Sequence, residues 1–451
     1  MKMKNLSLLL VTLFSVNLFA GDITVSDGDN YFEVSEKTVS EFNFINSVSN
    51  INTVVVKSEE GEFVKLNIAS YSSDSKIGDA DLPVLQRLIR VPFGSEMAIK
   101  ILNTEDTIID LSDFGYEIPV FPNQPSVSKS AIDFPFYMNE TYYNLDKFTG
   151  NDLVTTELLG KMRGQQLARL KVSPIQYNPS TNQLKIITKM EVKIIFKNIN
   201  ISEDVSNRMK YYSPEFETLF KSCVNYTSVA EKDVITTYPV KYVIIADPMY
   251  QAALQPLVDW KKKKGFLVVE EYTNNPLVGT TNTSIHTFIK DMYDNATASD
   301  PAPTYLLLIG DIGQVPSFNT GQHVSDMYFC EFDGNGDFYP EMYYGRFSAV
   351  TAADIEVQVN KTITHEQYLF PDPSFLDEVV LVAGVDGSWA PTHGNGQINY
   401  GTDNYFNTQH GLTVYNYLYG SGSPITSDMS GASAAIIADV SAGVGFANYT
   451  A

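Results

Sequence analysis

The chain has 451 residues and a formal net charge of −22 at pH 7. Its 44% hydrophobic and 12% aromatic content excludes a disordered chain. This length predicts about three domains. Nucleic acid is excluded as a partner, because so acidic a surface repels phosphate. Only two cysteines are present, so no disulfide framework supports the fold.

The N-terminus has the layout of a secretory signal peptide. Lys2 and Lys4 precede an apolar run that ends at Ala20-Gly21. A membrane anchor is the alternative, but it needs roughly 20 apolar residues, and polar residues interrupt this run. No later segment is apolar enough to span a bilayer. We therefore expect residues 1–20 to direct export, which places the protein outside the cell or on its surface.

Residues 21–235 predict a β-rich domain. Short alternating or β-branched runs recur there, separated by Asn, Gly, Ser and Pro. This spacing is typical of a sandwich rather than of βαβ units. The predicted strands are Val54–Val56, Phe63–Ile68, Met97–Leu102, Gln183–Ile187 and Met190–Phe196.

From Tyr238 the pattern changes to alternating strands and helices, which predicts a covered, largely parallel sheet. A proline pair at 371–373 predicts two halves, 236–370 and 371–451. We expect the last strand to be buried, with its polar tip where active sites of open α/β sheets lie. The predicted strands are Tyr242–Ala246, Phe266–Val269, Tyr305–Ile309, Val379–Val382, Val414–Leu418 and Val444–Tyr449, and the predicted helices span 250–263, 284–294, 352–366, 400–409 and 430–440.

The strongest chemical signal is an acidic stretch at 333–341. Side chains that carry oxygen occur at every second position, and a main-chain carbonyl is available at Tyr339. Ca²⁺ takes six to eight oxygen ligands, which such a loop supplies. Asp311 ends a predicted strand and is expected close enough to join. An acidic turn with solvated carboxylates is the alternative. The candidate ligands are Asp311, Asp333, Asp337, Tyr339 and Glu341.

Other chemistry-bearing residues give weaker signals. The five histidines lack the spacing of a metalloenzyme site, although His393 or His410 could approach a substrate groove. Cys330 falls in a strand-like run, 327–332, and we expect it to be packed rather than activated.

An ordered series of segments resembles the gingipain-like cysteine peptidases of family C25. Upstream segments resemble the propeptide of that family, and later ones resemble its catalytic domain. The segments are Ile77–Gly94, Val172–Ile186, Tyr242–Ala246, Leu257–Gly265, Tyr305–Asp311, Ser325–Asp326, Tyr343–Ser348, Gln409–Gly411 and Ala447–Ala451.

The resemblance implies a secreted bacterial cysteine endopeptidase precursor that acts on proteins or peptides. Its fold would be a β-sandwich-like propeptide, acting as an intramolecular inhibitor, followed by a caspase-like α/β domain that is incomplete at its C-terminus. A catalytic histidine is expected directly after Ala451 and a cysteine further on, so residues 1–451 are expected to be inactive. Maturation is expected near Lys232.

The resemblance also implies structural calcium at Asp311, Asp337, Tyr339 and Glu341, with Asp333 a weaker candidate. Two alternatives remain. One is a non-catalytic, calcium-stabilised adhesion or interaction protein on the same scaffold. The other is an aspartic or metal hydrolase that uses the carboxylates between Asp311 and Glu341.

Overall fold

A computed structural model describes residues 20–450, except 59, 126–134, 228–239, 298, 322, 335–336, 386–389, 421 and 426–429. The chain forms two compact units, Met1–Ile355 and Glu356–Ala451. The predicted signal peptide up to residue 19 and the predicted maturation site at Lys232 lie outside the described residues. The predicted domain limits remain predictions.

The first part of the first unit is built from antiparallel sheets. Their strand orders are β1-β4-β5, β6-β7-β10-β9 and β11-β12-β3-β2, with β8 also paired to β12. The strands are β1 (Ala20–Thr24), β2 (Tyr31–Lys37), β3 (Glu41–Ser47), β4 (Asn50–Ser58), β5 (Gly61–Asn67), β6 (Tyr71–Ser73), β7 (Pro83–Val91), β8 (Glu96–Asp110), β9 (Val154–Met162), β10 (Gln165–Val172), β11 (Ile175–Asn178) and β12 (Gln183–Lys197). The short helix α1 (Glu140–Tyr143) lies between β8 and β9, and α2 (Ile201–Lys210) and α3 (Pro214–Phe220) follow β12.

The sandwich-like character follows from the two-residue period of the strands. Val192, Ile194 and Phe196 of β12 are buried, and their neighbours in sequence are half-buried or exposed. The predicted strands Gln183–Ile187 and Met190–Phe196 form a single strand, β12. A register shift at Ile187/Lys189 lets β12 continue along β8. A β-bulge of this kind interrupts the alternation without ending the strand.

The rest of the first unit carries a parallel sheet in the order β14-β13-β15-β18. Its central strands are continuous apolar runs, as expected for strands covered on both faces. The elements are β13 (Lys241–Ala246), α4 (Gln251–Lys263), β14 (Leu267–Tyr272), α5 (Asn282–Asp294), β15 (Pro303–Ile309), the hairpin β16 (Phe318–Asn319) and β17 (Val324–Ser325), β18 (Tyr343–Phe347) and α6 (Ala352–Glu366), which contains the unit boundary.

The second unit carries a separate parallel sheet in the order β20-β19-β21. Its elements are β19 (Glu378–Ala383), α7 (Asn395–Asn404), β20 (Thr413–Tyr417), α8 (Ser430–Ala442) and β21 (Phe446–Thr450). The prediction that the last strand is buried is wrong for the described residues. Strand β21 pairs with β19 at the edge of the sheet, and Phe446 and Tyr449 are 47% and 62% exposed.

The predicted fold class is confirmed: a β-sandwich-like region precedes an α/β region with parallel sheets. Among the described residues, no helix combines the length and apolar character that a bilayer span requires.

Candidate functional site

The acidic loop, residues 331–341, lies at the amino end of the first parallel sheet. It connects the 3₁₀ turn Met327–Phe329 to strand β18. Glu341 closes the base of the loop, because its main-chain N–H donates to the carbonyl of Cys330 at 2.7 Å. Its carboxylate therefore points into the interior at the point where β18 begins.

The Glu341 carboxylate is buried and accepts two hydrogen bonds on one oxygen. The Tyr293 hydroxyl donates to Oε2 at 2.8 Å, and the main-chain N–H of Arg163 donates to the same atom. Burial raises the pKa of Glu341 to about 8, although both hydrogen bonds and the Arg163 charge act in the opposite direction. Residues of helix α5 and of the β-rich region thus hold this carboxylate.

Asp337 and Asp333 also contact the β-rich region. Asp337 Oδ2 accepts the Lys161 main-chain N–H at 2.9 Å, and its Oδ1 accepts the Tyr339 N–H at 3.0 Å. Asp333 forms an ion pair of 3.2 Å with Lys161 Nζ. Burial, and then the negative charges of Asp337 and Asp333, raise the pKa of Glu331. The loop therefore concentrates negative charge where positively charged residues of another region meet it.

The partner of the acidic loop is the hairpin turn, residues 160–164, between β9 and β10. Arg163 and Gly164 adopt left-handed backbone conformations, with φ of 50° and 67°. Such values close tight β-hairpins whose twist suits the flanking strands. The turn thereby directs two main-chain N–H groups, those of Lys161 and Arg163, towards the loop.

The Arg163 guanidinium is buried and donates to four main-chain carbonyls. Two of them, Tyr211 at 2.8 Å and Tyr212 at 3.4 Å, lie in the segment after α2. The other two are Pro303 at the start of β15 and Glu341 at 3.0 Å. Arg163 therefore joins the β-rich region to the amino end of the parallel sheet.

A glycine permits the close approach of the hairpin turn. A Cβ on Gly160 would lie 2.6 Å from Asp337 Oδ1 and 2.9 Å from the Tyr339 ring. Distances this short are steric clashes. The acidic loop thus packs directly on the bare backbone of β9.

Asp311 lies away from Asp333, Asp337 and Glu341. The expectation that it would lie close to them is wrong. Its N–H bonds to the carbonyl of Ala349, beyond the carboxyl ends of β15 and β18, whereas Glu341 precedes β18. Strand β15 has seven residues, so at about 3.3 Å per residue roughly 20 Å separates the two ends. The Asp311 carboxylate instead accepts the N–H of Ile312 at 2.9 Å.

The candidate ligands have the chemistry that calcium prefers but not the arrangement. Among the described residues, no group of three or more His, Cys, Asp or Glu side chains could hold a metal ion. The carboxylates of Asp337 and Glu341 bind N–H and O–H donors rather than converging on a common point. The residues as arranged do not fit a calcium ion, and calcium binding stays a prediction.

The two cysteines are buried and are not activated. Burial raises the pKa of Cys223 to about 12 and that of Cys330 well above its usual value. Cys330 ends the 3₁₀ turn Met327–Phe329 rather than lying in a strand, which corrects the predicted strand-like run. A nucleophilic cysteine requires a lowered pKa, so neither thiol has that character.

Comparison with known proteins identifies the two regions. A family model for the C25 propeptide matches residues 30–210, and the model for peptidase family C25 matches residues 235–451. The chain belongs to peptidase family C25. The β-rich region is its propeptide, and the α/β region is its caspase-like peptidase region.

Two similar proteins from Porphyromonas gingivalis show how much of a full-length relative this chain spans. The chain is 32% identical to Lys-gingipain W83 over 459 residues, which cover 99% of this chain and 26% of the relative. It is 25% identical to a gingipain R2 over 92% of this chain and 54% of the relative. The chain thus spans about a quarter and about half of these proteins. A structure on the zymogenic latency of gingipain K has 26% identity, a TM-score of 0.38, and coverage of 40% of this chain and 98% of that chain.

Sequence reasoning missed Lys161, Arg163 and Tyr293. A local signal for the turn was present, since Met162-Arg163-Gly164 separates two alternating runs in the manner of a hairpin. Nothing local shows that this turn meets Glu341, 178 residues away along the chain.

Proposed function

We propose that this chain belongs to a secreted cysteine endopeptidase precursor that its own propeptide keeps latent. The propeptide would be the intramolecular inhibitor, and proteins or peptides would be the substrates. Export would depend on the signal peptide at residues 1–20. By the mechanism of cysteine peptidases, a histidine would assist a thiolate attack on a peptide carbonyl, and N–H groups would stabilise the oxyanion.

The observation that carries this proposal is the contact between hairpin turn and acidic loop. The propeptide residue Arg163 is 1% exposed, and its acceptors include main-chain carbonyls of the peptidase region at Pro303 and Glu341. A buried cation between two regions indicates a fitted interface, because an unpaired buried charge is very costly. A propeptide anchored in this way stays bound to the peptidase region until an event releases it.

The proposal assigns the nucleophile to neither Cys223 nor Cys330. Both are buried, and both have a raised pKa. The thiol of the dyad would therefore be a different residue of the full-length protein, as the family resemblance implies.

The test uses the full-length protein. A fluorogenic peptide assay would measure activity before and after processing, and N-terminal sequencing would locate the mature start. We expect low activity before processing, thiol-dependent activity afterwards, and a start near Lys232. Full activity in the unprocessed protein, or a mature start well before residue 200, would contradict the proposal.

Cysteine variants provide the matched control. Cys223→Ala and Cys330→Ala should retain thiol-dependent activity after processing, because neither side chain contacts substrate in this proposal. Loss of activity in a Cys330→Ala variant that folds and is processed normally would overturn the assignment.

A further inference from the structure

A short segment after α3 covers the edge of strand β7 that lies beyond its pairing with β6. We call this segment, residues 223–227, the strap. Val224 donates its main-chain N–H to the carbonyl of Leu88 at 2.9 Å. The Asn225 side chain pairs with both main-chain groups of Arg90: Oδ1 accepts the N–H at 2.8 Å, and Nδ2 donates to the carbonyl at 2.7 Å. The strap thus satisfies main-chain groups that a free strand edge would leave without partners.

Two basic side chains hold carbonyls of the strap. Lys37 of β2 donates to the Tyr226 carbonyl at 3.2 Å, and Arg208 of α2 donates to the Thr227 carbonyl. The Arg208 guanidinium also lies 5.5 Å from the centre of the Tyr226 ring, close enough for a cation–π contact. Arg208 is 7% exposed, and a charged hydrogen bond is strong where water is largely excluded. The strap is therefore bound by main-chain and side-chain groups along most of its length.

Helix α2 is fixed in the position that presents Arg208 to the strap. Asp204 lies one turn earlier in the helix and is buried. Its carboxylate forms an ion pair with Arg90 and accepts the Phe93 N–H at 2.9 Å. Because this pair joins α2 to β7, both elements that hold the strap are fixed relative to each other.

The strap lies at the junction between the two family regions. It follows residue 210, where the match to the propeptide model ends, and precedes residue 235, where the match to the peptidase model begins. Processing of the proposed precursor would hydrolyse one peptide bond in this junction, with water supplying the hydroxyl of the new carboxyl terminus and a hydrogen of the new amino terminus. Proteolysis concentrates where the backbone is exposed and free of hydrogen bonds. Cleavage within the strap would therefore require local unfolding first.

We propose that Asn225 and Arg208 are positioning residues for processing: they hold the strap on the propeptide and confine hydrolysis to bonds beyond Thr227. This proposal rests on the proposed precursor and adds the residues that set where its propeptide ends. Lys221 is exposed and is the nearest basic residue before the strap. A cut after Lys221 needs the residues that follow it to enter a peptidase groove in extended form, and the strap withholds them.

The test adds trypsin to the intact full-length precursor after iodoacetamide has blocked its own thiol chemistry. Mass spectrometry then locates the first cuts. Trypsin cleaves after lysine and arginine, so cleavage after Lys221 reports on opening of the strap. We expect this cut to be slow in the wild type and about tenfold faster in Asn225→Ala and Arg208→Ala, because lost hydrogen bonds raise the population of the open strap. Ser206→Ala, an exposed position in the same helix, is the matched control and should behave as the wild type.

Further variants separate positioning from general stability. Arg208→Lys keeps the positive charge and should recover part of the protection, although it lacks the planar fork. Lys37→Ala removes one exposed contact, should give a smaller increase of the same sign, and replaces either alanine variant that does not fold. General destabilisation would also accelerate cleavage after Lys100 in β8, whereas the positioning role predicts an increase confined to Lys221.

The protein's own processing gives a second readout. The wild type should have a mature start beyond Thr227, and Asn225→Ala should add a start between residues 221 and 228. Cleavage after Lys221 that is equally fast in the wild type, Asn225→Ala and Arg208→Ala would overturn the proposal, as would acceleration of the same size at Lys100. The trypsin result holds even if the full-length protein lacks peptidase activity, so failure of the proposed function is distinguishable from failure of this proposal.

Discussion

The two ends of the first parallel sheet hold their carboxylates in different ways. At the amino end, Glu341 and Asp337 bind main-chain N–H groups of the propeptide turn. At the carboxyl end, Asp326 forms a bidentate ion pair with Arg346 of β18, with both N–O distances 2.8 Å. The first arrangement exists only while the propeptide is seated, whereas the second is internal to the peptidase region. The amino end therefore reports on propeptide docking, and the carboxyl end reports on folding of the peptidase region.

Arg163→Ala should have the largest effect. It removes a buried cation and the hydrogen bonds that this cation donates to four main-chain carbonyls. Loss of one partner in a buried charged network costs about 3–5 kcal/mol. Urea unfolding of the precursor would measure this loss, and propeptide dissociation after cleavage would accelerate.

Arg169→Ala is the control for that change. Arg169 lies in β10 of the same hairpin and forms a partly exposed pair with Glu157 at 3.4 Å. Its loss should cost less than about 1 kcal/mol. Similar losses of stability in both variants would show that the buried Arg163 contributes no more than a partly exposed ion pair.

Arg346→Ala should destabilise the peptidase region itself. The side chain donates to both Asp326 oxygens and to the carbonyls of Gly310 and Val315 at 2.8 and 2.9 Å. Charged hydrogen bonds in a half-buried site predict a loss of about 2–3 kcal/mol. Arg346→Lys should recover only part of it, because lysine lacks the fork. The loss of stability should persist when the propeptide is removed. If it disappeared, the carboxyl end of the sheet would also depend on the propeptide, contrary to the comparison drawn above.

Low pH should destabilise the carboxyl end of the first parallel sheet, because Asp326 becomes protonated. Burial raises the pKa of Asp326, but the hydrogen bonds from Arg346 and Ser317 and the Arg346 charge outweigh it, so the net pKa is lowered. A lowered folded pKa gives stability that is complete above the unfolded value, about 3.9. This stability disappears as the pH falls through the folded value. Stability measured from pH 6 to pH 2 should fall less steeply in Asp326→Asn than in the wild type.

Lys161→Ala should have the smallest effect. The side chains of Lys161 and Asp333 are 39% and 30% exposed, so solvent screens their ion pair. We expect a loss of stability below about 1 kcal/mol, because the Lys161 main-chain N–H still reaches Asp337. This loss should disappear at high salt, which screens the ion pair. A large loss of stability that does not depend on salt would contradict this. It would show that the Lys161 side chain, rather than its main-chain N–H, holds the hairpin turn against the acidic loop.

The sequence predicted the parallel strands well because their pattern is local. Tyr242–Ala246 and Tyr305–Ile309 are continuous apolar runs, and both are strands within a residue or two. Helix α7 begins at Asn395 rather than near 400, because the neighbouring glycines resemble a turn signal. An apolar run also does not show whether its strand lies at an edge, which is why β21 was expected to be buried.

The site was predictable only in part, because it is a tertiary contact. The alternating oxygens of 333–341 identified the acidic loop, and Glu341 and Asp337 are its buried carboxylates. Asp311 was misplaced because the loop precedes β18, whereas Asp311 follows β15. The partners Arg163 and Tyr293 carry no local pattern that indicates an acidic loop far along the chain.

In the intact precursor, the hairpin turn donates main-chain N–H groups to carboxylates of the acidic loop. Hydrogen exchange of the Lys161 and Arg163 amides tests it directly, with Glu341→Gln and Asp337→Asn as comparison variants. We expect slow exchange of both amides in the wild type, faster exchange at Arg163 in Glu341→Gln and faster exchange at Lys161 in Asp337→Asn. Rapid exchange of both amides in the wild type, at the rate of an open loop, would contradict it.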